Sequence, residues 1–186
     1  MRESIPDFIS HYYEERNGPL RSLSDNTKDG SREILRQLIE KGEGINSRRT
    51  LDYIETRIEV ENWLREEFKK KGGKPLRKNP HYFILGTCDW LLKWYTHGRC
   101  FKKQLADIDP RTISITYPDS MISYHLHRAK KSSGSSVHKK HYRDYHGKVF
   151  VFEELEGLIR KYGLPKGRKE DGDYDLYIEV QVWDDQ

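Results

Sequence analysis

The sequence predicts an α+β protein in which N-terminal helices are followed by a mixed, mainly antiparallel sheet region with two further helices. Apolar residues recur at helical spacing through residues 31–70. After Lys74-Pro75, short runs with strand character replace that pattern. Strands and helices do not alternate regularly, which argues against a doubly wound parallel sheet. We expect a helical N-terminal region over residues 1–75 and an α+β core over residues 76–186, together forming one compact unit.

Turn signals and helix stops organise the first part of the chain. Residues 1–30 contain several turn-forming dipeptides and are predicted to be irregular. Ser31 is a suitable cap for a first helix, which Gly42 would end. A second, longer helix is predicted from Ser47 to Gly72-Gly73.

The second part contains four predicted strands, one of them short, and two helices. The run His81–Leu85 is apolar enough for a buried strand, and residues 112–117 alternate as a half-buried strand does. The remaining predicted elements are a helix over 87–95, a strand over 149–152, a helix over 153–162 and an alternating strand over 176–183.

Composition restricts the class of protein. Hydrophobic and charged residues each make up 34% of the chain and aromatic residues 12%, so rings contribute much of any core. The net charge of +4 is too small to identify an acidic partner. Two cysteines imply no disulfide framework, which favours a reduced, cytoplasmic setting. No apolar run is long enough to span a membrane, and the opening residues do not form a signal peptide.

A basic, histidine-rich segment covers residues 122–147. Its lysines, arginines and hydroxyls, placed around a glycine, suit contacts with phosphate or nucleic acid. The residues predicted to make these contacts are Arg128, Lys130, Lys131, Lys139, Lys140 and Arg143. The alternative is a solvated surface loop. The histidines of this segment could also be metal ligands. Because the spacing of Cys88, His97 and Cys100 matches no zinc signature, we assign no metal site.

The last predicted strand places Glu179 and Gln181 on one face, beside aromatic residues. A carboxylate and an amide in this setting can bind a sugar or hold a water. The alternative is an ordinary solvent-facing strand surface. A second candidate site is the turn after residue 117, where Asp119 and Ser120 either take part in a site or only cap their own backbone.

These pieces resemble the ADP-ribosyltransferase-like fold of the His-Tyr-Glu type over about residues 76–186. The matching positions are His81 before Tyr82-Phe83-Ile84-Leu85, Tyr117 at the end of the second strand, and Glu179 in the last strand. The resemblance implies that NAD, as substrate, lies in a cleft between two small sheets.

The resemblance also implies roles for the matching residues. His81 would contact a ribose, Tyr117 would stack on nicotinamide, and Glu179 would hold the ribose and stabilise its cation-like state as nicotinamide leaves. Gln181, on the same strand face as Glu179, joins His81 and Tyr117 as a predicted cofactor contact. The predicted function is ADP-ribosyl transfer to a protein or nucleic-acid acceptor.

Two other functions remain open from the sequence. Asp119 and the Glu179-x-Gln181 pattern are similar to the acidic residues of metal-dependent nucleases, although a lysine is expected where Gln181 stands. The basic loops and tyrosines also suit a nucleic-acid-binding module without catalysis.

Overall fold

The structure is a computed structural model that describes residues 4–42, 44–131, 143–165 and 176–185. In these ranges, six strands form one sheet in which every pairing is antiparallel. The strands are β1 (Phe8–Glu14), β2 (His81–Leu85), β3 (Gly98–Gln104), β4 (Ile113–Thr116), β5 (Val149–Val151) and β6 (Glu179–Val182). Their order across the sheet is β3-β1-β2-β6-β4-β5. The predicted α+β class with a mainly antiparallel sheet is confirmed.

Four α-helices in the described ranges accompany the sheet. They are α1 (Lys28–Lys41), α2 (Tyr53–Lys70), α3 (Ser120–Lys131) and α4 (Leu155–Tyr162). No helix in the described part of the chain combines the length and apolar character needed to cross a membrane.

Local chemistry explains where α1 begins and ends. The side chain of Thr27 accepts a hydrogen bond from the backbone N–H of Gly30 at 3.2 Å, so Thr27 caps the helix. Ser31, the predicted cap, is instead buried in the first turn, where its hydroxyl donates to the carbonyl of Thr27 at 2.9 Å. Gly42 ends α1 with φ of 68°, as the sequence predicted.

Three further elements differ from the prediction. The second helix begins at Tyr53 rather than Ser47, because Ile45–Arg48 form a separate 3₁₀ turn. The predicted helix over residues 87–95 is a 3₁₀ segment, Asp89–Trp94. The strand β3 was not predicted, since its exposed basic residues hide the alternation of a strand.

Helices cover both faces of the sheet. On one face, apolar residues such as Phe83, Ile115 and Val180 pack with residues of α4. On the other face, Trp183 packs with residues of α2. Residues 112–117 were predicted to be half-buried, but Ser114 and Thr116 of β4 are 0% exposed. Strand alternation therefore sends Val180 toward α4, and Glu179 and Gln181 toward α2 and α3.

The segment predicted to be irregular contains β1. All seven of its residues pair with β3, but only Ile9 and Ser10 pair with β2. Beyond Ser10 the ladder between β1 and β2 stops, and His11 donates from Nδ1 to the carbonyl of Tyr82 at 2.7 Å. A fork therefore opens inside the sheet between β1 and β2.

Candidate functional site

A cavity of about 830 Å³ lies at this fork and extends under the beginning of α2. Its volume is within the range of small-molecule sites. Its polar lining includes residues of the segment 16–26 after β1 and of five other parts of the chain: Ser10 and Glu14 of β1, Arg49, Tyr53 and Arg57 around the start of α2, Tyr82 of β2, Asp119 and Ser120 at the start of α3, and Tyr177 and Glu179 at β6.

Glu179 is held at the cavity by one of its two carboxylate oxygens. Its Oε1 accepts hydrogen bonds from the backbone N–H of Ser120 at 3.2 Å and from Nε2 of Gln181 at 3.0 Å. Within the described ranges, no residue donates to its Oε2. Glu179 is only 8% exposed, and it lines the cavity. One oxygen therefore fixes the side chain and the other is available to a ligand.

Gln181 orients Glu179 and does not reach the cavity. It is 0% exposed, and its Nε2 also donates to Oγ1 of Thr116 at 3.0 Å. Its Oε1 accepts from the hydroxyl of Ser114 at 2.8 Å, and this hydroxyl in turn accepts from Nε1 of Trp183 at 2.8 Å. Because these contacts occupy the amide, the structure places Gln181 behind the site and not in the predicted position of a cofactor contact.

Asp119 supplies a second carboxylate to the same cavity. It is the residue before Ser120, and its Oδ1 accepts the backbone N–H of Ile122 at 3.0 Å. Burial raises the pKa of Asp119, while hydrogen bonds from the N–H groups of Ile122 and Met121 oppose that rise. The N-terminus of α3 also favours negative charge at this position.

The two carboxylates have different environments. Burial is the main cause that raises the pKa of Glu179 to about 7, and the charge of Asp119 adds to it, whereas Arg57 opposes it. Asp119 has helix-terminal donors that stabilise its ionised form. Burial thus raises the pKa of both carboxyls, to about 7 at Glu179, and the N–H groups at the start of α3 oppose the rise at Asp119.

Arg57 brings a cation to the cavity. Its Nε donates to Oε1 of Glu61 at 2.9 Å, and its guanidinium lies 3.6 Å from the ring centroid of Tyr82. The side chains of Arg57 and Glu61 are only 16% and 2% exposed. The same Oε1 also accepts from the hydroxyl of Tyr82 at 3.2 Å. This pair is part of the protein interior.

Tyr117 does not join this site. Its side chain belongs to the apolar core on the α4 side of the sheet, where its ring stacks on Tyr145 with centroids 4.4 Å apart. The residue that pairs with Glu179 is Thr116, so the next residue along the strand points to the opposite face. The structure therefore contradicts the prediction that Tyr117 shares a pocket with Glu179.

His81 borders the cavity, but away from Glu179. It pairs with Val182, whereas Glu179 pairs with Ile84, three residues further along β2. That separation is about 10 Å along a strand. Burial and the nearby Arg77 lower the pKa of His81, which favours its neutral form. Of the three residues in the predicted arrangement, the structure brings His81 and Glu179 to one cavity.

Three of the basic residues predicted to contact phosphate, Arg128, Lys130 and Arg143, are described and do not line the cavity. Arg128 forms an ion pair with Glu59 at 3.6 Å, and Lys130 donates to the carbonyl of His146 at 3.0 Å. Arg143 is exposed. Lys139 and Lys140, and the side chain of Lys131, lie outside the part of the chain that the structure describes.

Among the described residues, no group of three or more His, Cys, Asp or Glu side chains is placed to hold a metal ion. Cys88 is buried, Cys100 is exposed, and neither forms a disulfide.

No family model, no curated protein and no solved structure matches this chain. The function must therefore be argued from the cavity itself. Sequence reasoning missed Arg49, Arg57 and Ser10 in its lining. A signal for Arg57 was present, because Glu61 follows it by one helical turn and such pairs interact on one helix face.

Proposed function

We propose that this protein is an enzyme that breaks the glycosidic bond of a ribosyl ligand, and that NAD is its donor. The observation that carries the proposal is the placement of two carboxylates, Glu179 and Asp119, on one cavity in different electrostatic environments. Reactions at an anomeric carbon use such a pair, because a cationic sugar forms and a nucleophile must lose a proton.

In this reaction the bond between nicotinamide nitrogen and ribose C1′ breaks, and its electron pair leaves with nicotinamide. Asp119, whose ionised form accepts the N–H of Ile122, stabilises the positive charge on the ribose. Water or an acceptor hydroxyl forms the new bond to C1′ and gives its proton to Glu179. A base with a pKa of about 7 suits proton transfer at neutral pH.

The surroundings of the carboxylates support a ribosyl ligand. Tyr82 and Tyr177 line the cavity and supply aromatic surface in place of the predicted Tyr117. The resemblance to ADP-ribosyltransferase-like folds implies NAD in a cleft between two small sheets, whereas the described strands form one sheet, and here the fork between β1 and β2 provides the cleft. The macromolecular acceptor, protein or nucleic acid, is part of the proposal and follows from that resemblance alone.

The test is nicotinamide release from NAD, with water as the acceptor, followed from pH 5 to pH 9. The rate is expected to rise through about pH 7 and to fall by at least ~100-fold in Glu179→Gln. Gln can still accept the bonds from Ser120 and Gln181, so the variant removes the base and keeps the shape. Glu153→Gln, at an exposed position, is the matched control. Equal rates in the wild type and Glu179→Gln would reject the proposal, as would no release even with added protein or RNA acceptors.

A second function is favoured by the same two carboxylates. The nuclease hypothesis required Asp119 and Glu179 to act together, and both line this cavity. In that case the pair would bind Mg²⁺ and act on a phosphodiester. Cleavage of RNA or DNA that needs Mg²⁺ and is lost in Asp119→Asn would support it, and metal-independent release of nicotinamide would favour the transferase.

A further inference from the structure

Two arginines stand on one wall of the cavity, and each is held against a tyrosine ring. The guanidinium of Arg49 lies 3.8 Å from the ring centroid of Tyr53, and that of Arg57 lies 3.6 Å from the ring centroid of Tyr82. Both arginines line the cavity. Stacking fixes the plane of a guanidinium while leaving its edge N–H groups able to donate.

The positive charges on this wall are only partly balanced by the protein. Arg57 contacts Glu61 through Nε, but its two Nη groups have no hydrogen-bond acceptor among the described residues. Arg49 makes no ion pair with any acidic residue of the described ranges. Burial lowers the pKa of Arg49, and the charge of Arg57 lowers it further. Two cations that repel each other in a partly buried wall favour an anion between them.

From these observations we infer that Arg49 and Arg57 bind a phosphate group, and that the ligand of the cavity is a phosphorylated ribose. The planar guanidinium matches phosphate oxygens through paired hydrogen bonds. The cavity, at about 830 Å³, holds much more than a phosphate, so sugar and further groups fit beside it. The inference names the anionic part of the ligand in the proposed function and rests on the same cavity. It moves phosphate recognition from the predicted residues 128–143 to the start of α2.

The first experiment compares ribose 5-phosphate with ribose by titration calorimetry on the wild-type protein, with ADP-ribose as a larger phosphorylated ligand. Ribose 5-phosphate and ADP-ribose are expected to bind, and ribose to bind at least about tenfold more weakly. Equal binding of ribose and ribose 5-phosphate would overturn the inference. So would the absence of binding by both phosphorylated compounds at millimolar concentration.

The second experiment uses neighbouring arginines. Arg49→Gln is expected to weaken the binding of ADP-ribose by about tenfold or more, whereas Arg48→Gln, at an exposed position that does not line the cavity, leaves it unchanged. A folded Arg49→Gln protein that binds ADP-ribose as tightly as the wild type contradicts the inference. If this variant does not fold, the salt dependence of the wild type decides. Affinity that falls with added NaCl supports a charged contact, and unchanged affinity rejects it.

Glu179→Gln separates the inference from the proposed function. It is expected to keep the at least about tenfold preference for ribose 5-phosphate over ribose while releasing nicotinamide at least ~100-fold more slowly than the wild type. Phosphate-dependent binding without any turnover in the wild type would leave the inference standing and reject the enzyme. Turnover of NAD by the wild type, together with equal binding of ADP-ribose by Arg49→Gln and the wild type, would support the enzyme and reject the inference.

Discussion

The backbone N–H of Ser120 donates to Oε1 of Glu179 at 3.2 Å, which connects the first turn of α3 to β6. This contact brings Asp119, the preceding residue, to the cavity that Glu179 lines. The two carboxylates are 60 positions apart in the sequence, yet one hydrogen bond sets their relation. The electrostatic behaviour of the site follows from this junction.

The first prediction concerns stability and pH. The pKa of Glu179 is raised by burial from an ordinary value of 4.5 to about 7, so the folded state holds its proton more tightly than the unfolded state does. The stabilisation that the protonated Glu179 contributes to the folded state is fully present below pH 4.5 and is lost as pH rises through about 7. The free energy of unfolding is therefore expected to decrease by up to about 3 kcal/mol over this window from this group.

Urea unfolding of the wild type and Glu179→Gln at several pH values between 4 and 8 measures this contribution. The variant is expected to show a flatter pH dependence, and Glu153→Gln to follow the wild type. A wild type and a Glu179→Gln protein with parallel curves would show that Glu179 titrates normally.

The second prediction concerns the amide that holds Glu179. Gln181→Leu keeps much of the volume but removes the partners of Ser114, Thr116 and Glu179. Because those groups stay buried, the variant is expected to lose about 2–4 kcal/mol in the free energy of unfolding. Gln37→Leu, on the exposed face of α1, is the control and should change it by less than about 0.5 kcal/mol. Similar urea midpoints for the two variants would contradict the assigned contacts.

The third prediction concerns the buried ion pair of α2. Glu61→Gln removes the charge that Arg57 contacts, and the side chain of Glu61 is only 2% exposed. The loss is expected to be about 3 kcal/mol, because a partly buried cation is left without its partner. Glu66→Gln removes a surface partner of Lys69 that is 62% exposed, and is expected to cost less than about 1 kcal/mol. Thermal unfolding of both variants checks the difference, and equal losses would place Arg57 in solvent.

The fourth prediction uses two glycines. A Cβ at Gly73 would overlap the ring of Phe68, which is fully buried, so Gly73→Ala is expected to destabilise the protein by about 1–3 kcal/mol. A Cβ at Gly157, within α4, meets no atom within 4 Å. Gly157→Ala is therefore expected to stabilise the protein by up to about 1 kcal/mol. Denaturant midpoints that move in the same direction for both variants would contradict this prediction.

Much of the fold could be predicted from local patterns. The strand His81–Leu85 and the stop of α1 at Gly42 were predicted correctly, since each depends on residues that are adjacent in the sequence. The strand β1 was missed because its partners, β2 and β3, lie more than sixty residues away in the sequence and decide its structure. Strand preference depends on such partners more than helix preference does.

The site was predicted in part. Alternation within β6 correctly placed Glu179 and Gln181 on one face, apart from Val180. Alternation alone did not give the register between β6 and β4. A shift of this register by one residue decides whether Tyr117 lies on the same face of the sheet as Glu179. The inward positions of Arg49 and Arg57 depend on how α2 docks on the sheet, which local patterns do not contain.

The central position of β6 has a consequence for biosynthesis. It is the only described strand that touches both halves of the sheet, β3-β1-β2 on one side and β4-β5 on the other. A polypeptide synthesised only as far as β5 lacks the strand that joins the two halves, so the inner borders of β2 and β4 are uncovered until β6 follows. Such borders attract other strands. Joining of the halves, and with it the formation of the carboxylate pair, requires that β6 has been added.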